Sequence, residues 1–263
     1  SMFSVFHTWL SKLNSIGLLE CVNCCYLEFT LFLTIQTIMK TYLLLLGFIL
    51  NFSISQAQLN FEEINPAKEG HRINAIAMPT ENSGVTVGDF GTILFTTDGF
   101  TTWTIVETGT KKELFAVAFF TPTIGIAVGA DGVLLRTTTA GASWQTTASG
   151  VRDSLRSIAL IGSRAIVVGG HGTILETNDQ GLTWTRKPSG YTGNLNCIKF
   201  RGANKGLIVG ENGLILRTEN GGSSWSKVFS DSAKYSFIHS VDWADDTTVM
   251  AVGKYVFYRS TDG

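Results

Sequence analysis

Four tryptophans, Trp103, Trp144, Trp184 and Trp225, stand 41, 40 and 41 residues apart, each 15 residues after the glycine of a Val-Gly pair. Those glycines are Gly88, Gly129, Gly169 and Gly210, and a fifth Val-Gly pair ends at Gly253. A fixed period near 40 residues, made of short apolar runs separated by turn residues, is the signature of a β-propeller blade. The expected fold class is therefore all-β, a propeller of four-stranded blades with about five blades in the chain.

One period is clearest in the third copy. Leu155–Ile161, Ala165–Gly169, Gly172–Thr177 and Thr183–Lys187 are its four strands, joined by hairpin turns. Carrying the period through the chain places blades near 73–109, 114–150, 155–190, 195–230 and 237–263, the last incomplete. The turn between strands two and three is Gly88-Asp-Phe-Gly91, Gly129-Ala-Asp-Gly132, Gly169-Gly-His-Gly172 or Gly210-Glu-Asn-Gly213. Both glycines are expected to supply positive φ. The spacing invites a phosphate-cradle reading, but it recurs between two strands and never opens a helix.

The turn before each tryptophan carries an acceptor side chain at Asp98, Thr139, Asp179 or Asn220, placed to bond backbone N–H groups two residues on. Each tryptophan is expected to sit between blades. Because these carboxylates occupy one architectural position, they read as structural and not as catalytic acids.

Residues 1–57 stand apart from the repeat. Met39-Lys40 followed by the apolar run Thr41–Leu50 resembles a signal peptide, with Ser55 and Ala57 as small residues before a cleavage site. That run is short for a membrane span, so the mature chain is expected to be exported without stable membrane insertion. Residues 1–38 precede the natural start of such a signal and read as an upstream leader outside the native coding sequence. Cys21, Cys24 and Cys25 form a Cys-x-x-Cys-Cys run, but no second ligand pair completes a zinc site. Cys197 alone remains in residues 58–263, so no internal disulfide is expected there. No cofactor and no metal are implied. The formal net charge is −1, which gives no bulk attraction for nucleic acid.

The whole unit, Val-Gly-x-x-Gly-x-Ile-Leu-x-Thr-x-Asp-Gly-Gly-x-Thr-Trp, resembles the photosystem II stability/assembly factor-like propeller family. The turns resemble the Asp box of bacterial neuraminidase repeats. The likeness covers residues 59–263. It implies a seven-bladed exported propeller without enzymatic activity that binds a partner protein. Seven periods exceed this chain, which ends at Ser260-Thr-Asp-Gly263 inside a fifth Asp box. A truncated ring is the first expectation. Early closure is the alternative, with Phe61-Glu-Glu-Ile64 as the missing fourth strand of blade five.

Partner binding is expected on the loops from strand four to the next blade. These carry Lys111, Lys112, Arg152, Lys187 and Lys234, with Arg156 and Arg186 at adjoining strand ends. Family members resembling this chain bind a partner through an arginine-rich patch, which gives these residues their candidate role. A second basic set, Arg136, Arg217 and Arg259, shares one repeat position with Phe95 and Glu176. Two rival functions are a glycan-binding or sialidase-like repeat protein and an adhesive module of a longer secreted protein. Against an enzyme, His71, His171 and His239 occupy unrelated repeat positions, and the Arg-Ile-Pro motif usual in sialidases is absent.

Overall fold

The second strand of every repeat is a continuous apolar run ending in glycine, and such a run is stable only with both faces covered. The structure, a computed structural model, describes residues 71–231 and 236–262. The chain divides into two compact units, Ser1–Glu63 and Ile64–Gly263, and the described residues all belong to the second. The expectations for residues 1–57, for Phe61–Ile64 and for Lys234 lie outside the described residues.

Five antiparallel meanders follow one another. The first is β1 (Ile73–Ala77), β2 (Gly84–Gly88), β3 (Ile93–Thr96) and β4 (Thr104–Val106). The second is β5 (Leu114–Phe119), β6 (Gly125–Gly129), β7 (Leu134–Thr137) and β8 (Gln145–Thr146). The third is β9 (Leu155–Ile161), β10 (Arg164–Gly169), β11 (Ile174–Thr177) and β12 (Thr185–Lys187). The fourth is β13 (Leu195–Arg201), β14 (Lys205–Gly210), β15 (Ile215–Thr218) and β16 (Ser226–Phe229). The fifth has three strands among the described residues, β17 (Phe237–Trp243), β18 (Val249–Lys254) and β19 (Val256–Ser260). The all-β propeller of about five blades expected from the repeat is the fold the chain adopts.

The core lies between blades. Val85, Val87 and Ile93 of blade one meet Leu114 and Val117 of blade two. Val128 and Leu134 then meet Leu155, and Ile166, Val168 and Ile174 meet Leu195 and Ile198. Leu207 and Val209 meet Ile238 and Val241. The second strands of the first four blades are thus covered by their own neighbours and by the first strand of the next blade. The first strands pack against one another from blade to blade, and the fourth strands are mostly exposed, as their Thr, Ser, Lys and Arg content requires.

The Asp box latches each blade to the one before. A Cβ on Gly141 would lie 2.4 Å from Val85, one on Gly181 2.7 Å from Ile126, and one on Gly222 2.5 Å from Ile166. Trp144 packs in the junction of blades one and two, Trp184 in that of two and three, and Trp225 in that of three and four. Trp144 and Trp184 also donate Nε1–H to Gly141 and Gly181. Arg136, from the second basic set, reaches across to the Gln180 carbonyl at 2.8 Å, so it joins blades two and three.

Two local expectations are corrected. The first glycine of each two-to-three turn is extended, with φ −164°, −163° and −167° at Gly88, Gly129 and Gly169. Glycine is needed there because a Cβ would stand 2.0–2.2 Å from the carbonyl oxygens of Arg72, Glu113, Ser154 and Asn194, and 1.9 Å from that of Phe237 at Gly253. Only the second glycines, Gly91, Gly132, Gly172 and Gly213, have positive φ. The box acceptors also reach further than expected, to N–H groups three and four residues on. Asp98 accepts from Thr101 and Thr102, Asp179 from Thr183, Thr139 from Ser143 and Asn220 from Ser224.

These bonds set an acid response. Hydroxyl and backbone donors of Thr102 and Thr183, helped by Thr96 and Thr177, pull Asp98 and Asp179 from the ordinary value of 3.8 down to about 2. A depressed folded value stabilises the native state above the unfolded value, and that contribution is lost as pH falls from about 4 to about 2. Asn220 closes the same turn uncharged, its Nδ2 donating to the Ser224 hydroxyl at 2.8 Å. The double variant Asp98→Asn/Asp179→Asn should therefore unfold near the wild-type midpoint at pH 7 and show a flatter midpoint between pH 4 and 2. Equal slopes in urea titrations across that window would refute the assignment.

Candidate functional site

One end of the blades carries the two-to-three turns and the loops that lead to the next blade. Each turn backs onto the following loop. A Cβ on Gly91 would meet Thr110 O at 2.2 Å, on Gly132 Val151 O at 2.1 Å and on Gly172 Tyr191 O at 1.8 Å. The loops are closed by Thr108, Ser149 and Ser189, whose hydroxyls accept the N–H two residues on. A surface built in this way is regular in its backbone and free to vary in its side chains.

Charges alternate along this rim. Arg72 bonds Asp89 at 3.1 Å and reaches Glu113 at 3.4 Å. Lys112 bonds Asp131 at 2.5 Å, and His171 bonds Asp153 at 2.8 Å. The Thr173 hydroxyl, then His171 and Arg186, hold the Asp153 carboxyl below its ordinary range. Asn194 donates to Glu211 at 2.5 Å, and the Tyr191 hydroxyl donates to the Glu211 carbonyl.

The structure divides the predicted basic residues. Lys112 is offset by Asp131, and Lys187 is held at 3.0 Å by Glu176, which also meets Arg164. Arg186 is exposed on β12, within the field of Asp153. Lys111 and Arg152 are exposed and have no ion pair among the described residues. Arg152 borders an open cleft of about 460 Å³ lined also by Asp131, Thr147, Ser149 and Val151. Exposed Phe90 adds an apolar point on blade one, its ring 5.0 Å from His71.

Arg156 belongs to a feature the sequence reading missed. Pairing of the first and second strands slips by one residue at Asn74, Phe115, Arg156, Asn196 and His239. A β-bulge therefore recurs in every blade, re-aiming one side chain at the rim end of the first strand. Asn74 and Asn196 use it to donate to Leu114 O and Ile238 O of the next blade, both at 2.9 Å. The signal was present as apolar pairs three apart, Ile73/Ile76, Leu114/Val117, Leu155/Ile158, Leu195/Ile198 and Ile238/Val241. An odd spacing puts residues on opposite faces of a regular strand, and one inserted residue returns them to the same face.

Among the described residues no three His, Cys, Asp or Glu side chains converge to hold a metal ion, and Cys197 is a free, buried thiol.

Comparison with known proteins bears on the fold. Residues 137–236 match the profile of the family described as photosynthesis system II assembly factor YCF48. No curated protein matches the chain. Among solved structures, YCF48 from Cyanidioschyzon merolae aligns over 73% of this chain and 67% of that one, at 19% identity and a TM-score of 0.58. The WD40 propeller domain of Doa1 aligns over 73% and 66%, at 14% identity and a TM-score of 0.59. An ancestral GH74 enzyme aligns over 79% of this chain and 33% of that one, at 18% identity and a TM-score of 0.56. At these identities the structural likenesses establish the propeller fold, and they are shared by an assembly factor and an enzyme alike. The profile match spans residues 137–236, and over that stretch the repeats resemble those of the photosystem II assembly factor-like β-propeller family.

Proposed function

We propose that this chain is a non-enzymatic, protein-binding propeller, exported behind the Met39–Ala57 segment, that takes its partner on the loop rim. The observation that carries the reading is that Lys111 and Arg152 are exposed on the loops without an ion pair, Arg152 lining the cleft of about 460 Å³. The profile match to an assembly factor family supports a protein as the partner. A rim of alternating charges on which Lys111, Arg152 and Arg156 have no ion pair among the described residues favours an acidic face. Such recognition weakens with salt.

Affinity capture from the native host tests this. The chain and its Lys111→Glu/Arg152→Glu variant, matched by circular dichroism, are used as bait at low and high salt. The expected result is one captured protein, reduced at least tenfold by the variant and reduced by salt. Equal capture by both baits would remove the rim site. Cleavage of a glycan by the purified chain would replace the reading with a glycosidase.

A further inference from the structure

Blade one differs from its neighbours at one corner of the rim. The tip residue of the two-to-three turn is Phe90, Asp131, His171 or Asn212 in the first four blades, with φ 55°, 54°, 49° and 55°. Asp, His and Asn enter this left-handed region readily, whereas a bulky phenylalanine there is an outlier. Phe90 is also 63% exposed, so burial does not offset its strain. A second departure stands on β4. Ile105 is 44% exposed, while pairing with the third strand puts Thr146, Arg186 and Lys227 at its place in blades two to four. Asp131, Thr146, His171 and Arg186 are exposed on blades flanked on both sides, so the blade itself leaves these two positions in solvent.

The two departures meet in one cleft. Phe90, Ile105 and His71 line a space of about 120 Å³ together with Glu107, Thr108 and Thr110. The His71 ring lies 5.0 Å from that of Phe90, and its Nδ1 is 2.9 Å from the Thr92 hydroxyl. The space is close to the ~150 Å³ that takes a benzene ring, so it admits one side chain of leucine or phenylalanine size. Its walls are apolar at Phe90 and Ile105 and polar at Glu107 and the threonines, which suits an apolar side chain and the backbone that carries it. The cleft at Arg152 is the repeat equivalent, with Asp131 for Phe90, Thr146 for Ile105 and Ser149 for Thr108. Lys111 and Arg152 also share a place, two residues after Gly109 and Gly150, where blade three has Thr192. Blades one and two thus carry successive clefts, each beside an exposed cation without an ion pair among the described residues.

We propose that this corner anchors the partner protein, taking one apolar side chain between Phe90 and Ile105 from a segment whose neighbouring residues are acidic. The inference rests on the rim reading above and adds to it the anchor and the pattern of the partner's residues. From the anchor the segment passes Lys111 and reaches Arg152 at the next cleft, so its carboxylates meet the two cations in turn. Binding energy concentrates on a few aromatic or apolar anchors, while charges around them set specificity and rate. Backbone strain held at an exposed residue points to a use for its side chain, and Phe90 is the tip residue that the turn itself favours least.

Selection of phage-displayed random peptides on the full chain tests this, followed by fluorescence polarisation of the enriched peptide. The variant Phe90→Asn/Ile105→Thr copies Asn212 and Thr146 from the equivalent places, so it keeps the fold, and circular dichroism matching wild type checks that it does. Phe90→Asn alone, which relieves strain, carries the test if the pair does not fold. Enriched peptides are expected to set Leu, Ile, Phe or Met beside Asp or Glu. The variant is expected to weaken them at least tenfold at low and high salt alike. Lys111→Glu/Arg152→Glu is expected to weaken them at low salt and less at high salt, because salt screens charge and not apolar contact. Acidic peptides that bind Phe90→Asn/Ile105→Thr as well as wild type, yet are lost from the charge-reversed chain, would overturn the anchor and leave the rim reading standing. Peptides that neither variant weakens would overturn both. Selection that enriches no peptide would overturn the anchor and leave the rim reading to its capture test.

Discussion

Alanine at Gly172 is expected to destabilise the propeller by about 4 kcal/mol or more, while alanine at Gly190 costs only about 1–2 kcal/mol. The two glycines have nearly the same φ, +67° and +70°. Their surroundings differ. A Cβ on Gly172 would stand 1.8 Å from the Tyr191 carbonyl oxygen, whereas one on Gly190 meets nothing within 4 Å. Left-handed strain is common to both and cancels in the comparison. The excess at Gly172 reports the closure of the turn onto the loop, where Gly172 N–H also donates to Gly193 O at 2.7 Å. Urea midpoints of the two variants should differ by more than the strain alone explains. Equal midpoints would show that the rim relaxes freely and is not the rigid platform its geometry describes.

Trp144→Ala is expected to cost about 3–5 kcal/mol, the range for truncating a large buried aromatic. Trp144 is 7% exposed, stands edge-on to Phe119 at 6.1 Å and donates to Gly141 O at 3.0 Å. Through Gly141 the same turn touches Val85, so its removal loosens blade one from blade two. Trp103 makes an informative control. It packs with Phe100 at 6.1 Å, but its Nε1 has no hydrogen-bond partner and no blade before it is described. Trp103→Ala should cost about half as much. Because repeat proteins draw stability from their neighbours, Trp144→Ala should also broaden the unfolding transition. A sharp transition shifted no more than that of Trp103→Ala would refute the junction role.

Much of the blade was legible because its determinants are local. The tryptophan period, the Val-Gly ends of the second strands and the Thr-x-Asp turns each act within a few residues. The glycines were legible in place but only half in cause. Positive φ is a property of one residue and its turn, so Gly91, Gly132, Gly172 and Gly213 could be reasoned from hairpin geometry. The need for glycine at Gly129 arises from the carbonyl of Glu113, sixteen residues away across the bulged first strand. Opposite that glycine, Phe115 is the residue the bulge re-aims.

The candidate rim was less legible, because charge on a sequence carries no sign of its neighbours. Lys112 belongs to the loop before blade two and Asp131 to a turn within it, so only folding brings their side chains to 2.5 Å. Lys187 looked like a loop cation and is instead tied to Glu176. Lys111 and Arg152 were indistinguishable from these two until the fold showed them unpaired.

By itself, then, the sequence determined what repetition and backbone chemistry determine: an all-β chain, strands of four to seven residues in most places, glycine at the turns and tryptophan at the blade junctions. These follow from side-chain period and local sterics, which act at short range along the chain. Tertiary structure alone decided which cations stay uncompensated and why the first glycine of each turn admits no Cβ. Each of those depends on atoms 15 to 60 residues apart that meet only when blades stack, and no local pattern records a contact that stacking creates.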